Sequence, residues 1–384
     1  MIKKIGILGA TGSIGTTLLK LINKDEFEIR FLSANKNYKK LLNQAKKFNV
    51  KSLIVNDHES FNHAKIFNKD KTIKIYNNFD ILNKILGKKL DYVMSSIVGI
   101  DGLKPTFNVI KFTKKIAIAN KESLICGWPL IHQELIKHKT KFIPVDSEHF
   151  TIWSEIKNLK NKDIKKIYLT ASGGPLLKID PKKINKIKMK TILKHPTWNM
   201  GKKISVDSAT MMNKLYEVIE AKNIFNLNYN QISILIHPNS YAHSIIVYKN
   251  GIIKIILHDT TMKIPISNSL FENKKSIKFS KVIDIDKMNN LNFQTIDRNK
   301  YPVLNLLSKI PHTFSLFETV LVSINDLVVN KYLNREINFT DIYKLILKLV
   351  NLKQFKKFKK IHPKNIDEII DLNQMISLKF SKLV

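Results

Sequence analysis

The chain has 384 residues, 44% of them hydrophobic, and a formal charge of +34. That length points to two or three domains with a sizeable core, and no apolar run reaches the ~20 residues of a membrane helix, so neither a membrane role nor a minimal single domain is expected. Only three basic residues are arginines (Arg30, Arg298 and Arg335) and the lysines are spread along the whole chain. This reads as a solvated surface and argues against a nucleic-acid-binding stripe; the positive field still favours an anionic small molecule.

A single cysteine, Cys126, allows no intrachain disulfide. The first strand pattern begins almost at Met1, so no signal or transit segment is expected, and the reading is cytoplasmic. In chain order, residues 2–8 (IKKIGIL) predict a buried strand and 14–23 a helix. Strand-like runs recur at 28–33, 52–56, 92–96, 116–119 and 141–145, with helical patterns between them. Alternation of this kind predicts a Rossmann-like, doubly wound parallel sheet over residues 1–145. Residues 146–272 read as an α+β catalytic domain with an open sheet, built from runs at 167–172, 232–236, 244–248 and 252–257. Asn250-Gly251 between the last two is a hairpin signal. A helix over 208–225 is expected to pack on that sheet. Residues 273–300 are polar and read as a linker, and 301–384 as a C-terminal helical bundle.

Three motifs carry chemistry. Gly9-Ala10-Thr11-Gly12-Ser13-Ile14-Gly15 follows the first strand and opens a helix, which is where a dinucleotide pyrophosphate meets free amides and a positive dipole end. The second strand ends in Ser33-Ala34-Asn35-Lys36-Asn37 with no acidic residue, and a lysine there suits the 2′-phosphate of NADPH. Asp146 and Glu148 stand two apart after the run FIPV and, if the strand continues, share one side. With Glu217 they would offer hard oxygen ligands for Mg²⁺ or Mn²⁺; without it, two acids at a strand end are more often simply solvated. Asp207 and Ser208 read as N-cap candidates, and Asn213 and Glu217 share a helical face beside Lys214. Ser172 precedes the turn Gly173-Gly174. The stretch from His195 to Gly201, with Trp198 and Met200, reads either as a lid or as a hydrophobic loop anchor. Asn120-Lys121-Glu122 follows a strand at a ligand-bearing position, where Lys121 could bind a substrate oxygen and Glu122 could simply cap the next helix.

The blocks GATGSIG, SIVG, IANKESL, PVDSEH, LTASGGP, HPTWNMGKKISVDSATMMNK and IHPNS, with His243-Ser244 after them, resemble the 1-deoxy-D-xylulose 5-phosphate reductoisomerase family. Weaker similarity continues through YPVLNL, Asn325-Asp326 and FTDI. The resemblance implies an NADP-dependent oxidoreductase that isomerises and reduces 1-deoxy-D-xylulose 5-phosphate to 2-C-methyl-D-erythritol 4-phosphate for isoprenoid precursors. Thr11, Gly12, Ser13, Ile14, Asn35, Lys36, Asn37, Asn120, Glu122, Met200 and Gly201 would line the NADPH site. Asp146, Glu148 and Glu217 would hold the metal. Lys121, Ser147, Glu148, Ser172, His195, Trp198, Ser208, Asn213, Lys214 and Glu217 would contact the sugar phosphate. Of these, Lys121, Glu148, His195 and Glu217 are expected in the chemistry itself, with His243 near the site. A homodimer is implied as well. Departures are Leu215 and Asn35, where the family has glycine, and His258-Asp259-Thr260-Thr261-Met262-Lys263 in place of its Gly-x-Pro-Asp-Met-Arg. Two other readings are a semialdehyde-type dehydrogenase, which needs a catalytic cysteine, and a non-enzymatic basic NADP-binding protein.

Overall fold

A computed structural model describes residues 2–156, 163–198, 200–271 and 285–380. They fall into two units. The first comprises Met1–Ser123, Pro129–Phe150 and Met262–Phe279; the second comprises Leu124–Trp128, Thr151–Thr261 and Ser280–Val384.

In the first unit the strands are β1 (Lys3–Leu8), β2 (Phe27–Ala34), β3 (Ser52–Val55), β4 (Lys74–Tyr76), β5 (Tyr92–Ser95), β6 (Lys115–Ile118) and β7 (Lys141–Pro144). They pair in parallel in the order β4-β3-β2-β1-β5-β6-β7. Both faces of such a sheet are covered, which is why its central strands read as unbroken apolar runs; Ile5, Ile7, Phe31, Val93 and Ile116 are fully buried. The strand order reverses between β1 and β5, and ligands bind outside the carboxyl ends of strands at such a point. The Rossmann-like expectation is met. The short edge strand β4 carries too few apolar residues to be read from sequence.

The helix Lys263–Phe271 belongs to this unit. It packs on the helix Ser13–Leu21, and the Tyr92 and Ser269 hydroxyls hydrogen-bond at 2.8 Å.

The second unit holds a mixed sheet of β8 (Ile164–Ala171), β9 (Ile232–Ile236), β10 (Ala242–Tyr248), β11 (Ile253–Leu257) and β12 (Gln294–Thr295), in the order β11-β10-β8-β9-β12. Only β8 and β9 run parallel. The expected hairpin joins β10 to β11. The helix Met212–Phe225 lays Val218, Ala221 and Phe225 on Ile167, Leu169 and Ile246 of the sheet, each large apolar side chain contributing about 2 kcal/mol by burial.

Of the stretch read as a linker, residues 273–284 lie outside the described residues. Within the remainder Ile285–Asn289 is helical and Gln294–Thr295 adds β12 to the sheet: short polar segments can take structure from a sheet edge that offers hydrogen bonds. The helices Phe317–Leu333, Asp341–Val350 and Ile366–Phe380 pack together through Val320, Val328, Ile346, Ile369 and Ile376. They form the expected helical bundle, within the second unit; residues 381–384 lie outside the described ones. No described helix is long and apolar enough to cross a membrane.

Candidate functional site

The glycine loop leaves β1 through Gly9, whose φ of +80° and close approach to the Ser96 carbonyl leave no room for a side chain. The Gly9 amide donates to Ser33 Oγ at 3.0 Å and the Ala10 amide to the Ser33 carbonyl at 2.8 Å, which ties the loop to β2. Gly12 starts the helix Ser13–Leu21, and no side chain caps it. The amides of Ser13 and Ile14 therefore open this helix as an anion site. Lys40 Nζ donates to the Thr11 carbonyl at 2.8 Å and Gln44 to that of Ala10 at 3.0 Å. Sequence reading missed both, because they come from the face of the next helix. Asn35, Lys36 and Asn37 are exposed beyond β2. Asn37 caps the helix Tyr38–Phe48, and Asn35 does not use the left-handed backbone expected of a glycine substitute.

Asn120 caps the helix Lys121–Lys137, accepting from the Ser123 amide at 2.5 Å. Its amide group donates to the carbonyls of Ile97 and Gly99. The side chain is thus spent on the fold around the carboxyl end of β6. Glu122, expected as the cap, instead lies in the first turn and is buried.

Asp146 and Glu148 are not on a continuing strand. β7 stops at Pro144 and the helix Ser147–Ile156 begins, with the Asp146 carbonyl accepting from the Phe150 amide at 2.7 Å. The turn between them still brings a carboxylate oxygen of each within 4.8 Å of the other. Lys121 Nζ lies 2.7 Å from Asp146 Oδ2, and the fully buried His149 places Nδ1 3.6 Å from the same oxygen. Burial pushes the Asp146 carboxyl up, but Lys121 and His149 outweigh it and hold the group well below the usual carboxylate range. His149 is three residues after Asp146, a spacing visible once the segment is read as helix. Ser147 donates to Glu148.

In the second unit, Ser208 does not cap the helix that bears Lys214. Like Asp207, it lies inside the helix Lys202–Thr210, and Met211, with a φ of +66°, turns the chain into Met212–Phe225. A left-handed methionine carries no sequence signal, which is why the sequence predicts one helix over 208–225 where the chain has two that meet at Met211. Lys214 Nζ donates to the Thr170 carbonyl at 2.5 Å and to Glu217. Asn213 donates to Glu217 Oε1 at 2.6 Å. Leu215, fully buried, is absorbed by the core.

Ser172 begins the turn after β8. A side chain on Gly174 would stand 3.1 Å from the Ser208 carbonyl, so a small residue lets the turn approach that helix closely. His195 Nδ1 accepts from the amides of Thr197 at 3.2 Å and Trp198 at 3.0 Å. The proton must then sit on Nε2, which donates to Ser172 Oγ at 3.1 Å. Ser172 also accepts from the Gly174 amide at 3.0 Å, and its own O–H is directed elsewhere. Burial and then the charge of Lys214 push the His195 pKa down to about 4, so the ring is neutral near pH 7.

Trp198 meets His243 edge-on at 6.3 Å, and His243 stacks on His258 at 3.7 Å. Met200 is half-buried and Gly201 exposed at the start of Lys202–Thr210; Asn199, in the stretch read as a lid, lies outside the described residues. Cys126 is fully buried, which does not suit a nucleophile.

Residues 5–127 match the family model for 1-deoxy-D-xylulose 5-phosphate reductoisomerase, 142–225 that for its C-terminal domain, and 257–377 a further DXP reductoisomerase C-terminal domain. The chain is 54% identical over 385 residues to the reductoisomerase of Pelagibacter ubique (strain HTCC1062), covering 99% of each chain. It is 36% identical over 382 residues to that of Sulfurihydrogenibium sp. (strain YO3AOP1), covering 98% of this chain and 99% of the relative. Among solved structures, the Zymomonas mobilis reductoisomerase in complex with NADPH gives a TM-score of 0.87 at 29% identity, over 100% of this chain and 99% of that one. A DOX-P reductoisomerase in complex with NADPH, fosmidomycin and magnesium gives 0.90 at 29% identity, over 100% and 97%. The glycine loop, the Asp146–Glu148 turn and the Ser172–Glu217 cluster thus sit on a chain that belongs, along its length, to the 1-deoxy-D-xylulose 5-phosphate reductoisomerase family.

Proposed function

We propose that this chain converts 1-deoxy-D-xylulose 5-phosphate into 2-C-methyl-D-erythritol 4-phosphate with NADPH and a divalent ion, Mg²⁺ or Mn²⁺. The observation that carries the reading is the 54% identity to a reductoisomerase across 99% of both chains. The residues fit both groups. An uncapped helix start after a glycine loop suits a pyrophosphate, and Lys36 suits a 2′-phosphate. Asp146 is held deprotonated beside Glu148, and hard oxygens of this kind suit Mg²⁺ or Mn²⁺. Glu217 is assigned as the third ligand on the family resemblance.

When bound, NADPH supplies a hydride and the metal ion polarises the oxygens of the substrate. The chain's own residues do the rest. Ser172, Ser208, Asn213 and Lys214 bind the phosphate end, and that remote binding energy orients the reacting carbons. His195, neutral and with Nε2–H committed to Ser172, turns the Ser172 hydroxyl into a donor for a substrate oxygen. Lys121 and Ser147 orient the sugar oxygens beside Asp146. Glu148 holds or releases a proton at its carboxylate. Trp198 covers the sugar, with Met200 and Gly201 toward the nicotinamide, and excludes water from the aldehyde formed midway.

A cytoplasmic homodimer belongs to the same reading. Ile253 and Ile255 are 59% and 40% exposed on an open face of the second sheet that also carries Ile245 and Val247, and a contiguous apolar face marks an interaction surface. We also assign 1–145 to cofactor binding, 146–272 to catalysis, 273–300 to a linker and 301–384 to the C-terminal helical bundle.

The test is NADPH absorbance with the deoxyxylulose phosphate, with and without Mn²⁺. Metal-dependent oxidation that fosmidomycin blocks is expected; no oxidation at saturating Mn²⁺ overturns the proposal.

A further inference from the structure

We propose that Asn325 and Asp326, on the helix Phe317–Leu333, are positioning residues for the phosphate-binding helix Lys202–Thr210. They act through Asp207 and Lys203. Asn325 Nδ2 donates to Asp207 Oδ1 at 2.9 Å, with Asn325 fully buried and Asp207 3% exposed. Lys203 Nζ lies 2.7 Å from Asp326 Oδ1 and 3.7 Å from Asp207 Oδ2. The four side chains link two adjacent positions on one helix to two positions, one turn apart, on the other. Both attachment points matter. Lys203 stands two residues after Gly201, where the stretch bearing His195 and Trp198 ends. Asp207 immediately precedes Ser208 and stands four residues before Met211.

Met211 is the reason a brace is required. Its left-handed backbone (φ +66°) is one that side chains with a Cβ disfavour, and such a conformation persists only where its surroundings over-determine it. The elbow fixes the angle between Ser208 on one helix and Asn213 and Lys214 on the next. A helix free to roll or slide would carry Ser208 away from that pair without unfolding anything. Stability alone would be served as well by an apolar pair, because ionic groups taken out of water add little net stability. Their value is in fixing a single register, as directional bonds do and methyl groups do not.

The inference rests on the reading of Ser208, Asn213 and Lys214 as the phosphate-binding set, and the experiment separates the two. In the full-length enzyme, Asn325→Asp sets a second carboxylate against Asp207. It is expected to raise KM for the sugar phosphate on the order of tenfold, with KM for NADPH changed less than about twofold. The exchange Asp207→Asn with Asn325→Asp restores a donor and an acceptor in reversed order, and is expected to bring KM back to within about threefold of the parent. Asp326→Asn, at the half-buried end and safe for folding, is expected to raise the same KM by roughly threefold. Ser208→Ala is the control for the phosphate-binding set. If it raises KM while Asn325→Asp and Asp326→Asn do not, or if the exchange fails to rescue, the brace is overturned alone. If Ser208→Ala also leaves KM unchanged, the binding-set reading falls with it.

Discussion

Glu217 is 1% exposed and takes one hydrogen bond from Asn213 and one from Lys214. Two donors on one carboxylate fix its direction, which a metal ligand needs before the ion arrives. Glu217→Gln keeps the shape and removes the charge. Turnover is expected to fall on the order of a hundredfold while NADPH binding, followed by nicotinamide fluorescence, is unaltered; unchanged turnover at saturating Mn²⁺ would take Glu217 out of the metal set. Lys214→Ala removes a donor to Glu217 and one of the two causes that depress His195. KM for the phosphorylated sugar is expected to rise on the order of tenfold. The His195 pKa should move up from about 4, read by proton NMR of the imidazole; an unmoved KM would count against Lys214 as a phosphate contact.

The elements differ in how much of their placement was written locally. β1 to β3 and the helix after the glycine loop follow from apolar runs and glycine spacing alone, since a strand buried on both faces needs nothing else. A cap at the start of the helix after β6 was legible too, but it falls on Asn120 where Glu122 was expected, and the second duty of Asn120, holding the Ile97 and Gly99 carbonyls on a different loop, was not. Asn120→Ala is expected to lower stability by about 2 kcal/mol, with KM for the sugar phosphate unchanged. Chemical denaturation reads the first outcome, and a stability within error of the parent would refute it. The Asp146 segment misled because FIPV looks like a strand that continues, while His149 shows its role only on a helix. The elbow at Met211 left no trace, since neither glycine nor proline marks it. Lys40, Asn325 and Asp326 reach their partners through tertiary packing, which no local spacing encodes. The motifs therefore named the residues proposed for the site, and the supports behind them emerged only from the fold.

At the scale of the whole molecule, charge and burial set two pH and salt responses. Glu318 is fully buried, and although Ser315 donates to it at 2.8 Å, burial pushes its pKa from 4.5 up to about 7. Its folded pKa lies above the unfolded one, so the protonated form favours folding below pH 4.5, and that advantage is lost as pH rises through about 7. The loss amounts to about 3 kcal/mol. Glu318→Gln is expected to flatten this slope, gaining stability over the parent at pH 8 but not at pH 4; parallel denaturation curves at both pH values would refute it. The charge of +34 draws in an anionic sugar phosphate, so kcat/KM is expected to fall as salt rises, by several-fold between low and physiological ionic strength. A salt-independent kcat/KM would show that the field does not steer it. The helix Lys263–Phe271 packs on Ser13–Leu21 although the whole second sheet except β12 is encoded between them. A ribosome must therefore translate β8 to β11 of the second unit before the first unit can close its own core. Until then the nascent chain holds an uncovered apolar helix face, a natural client for a chaperone.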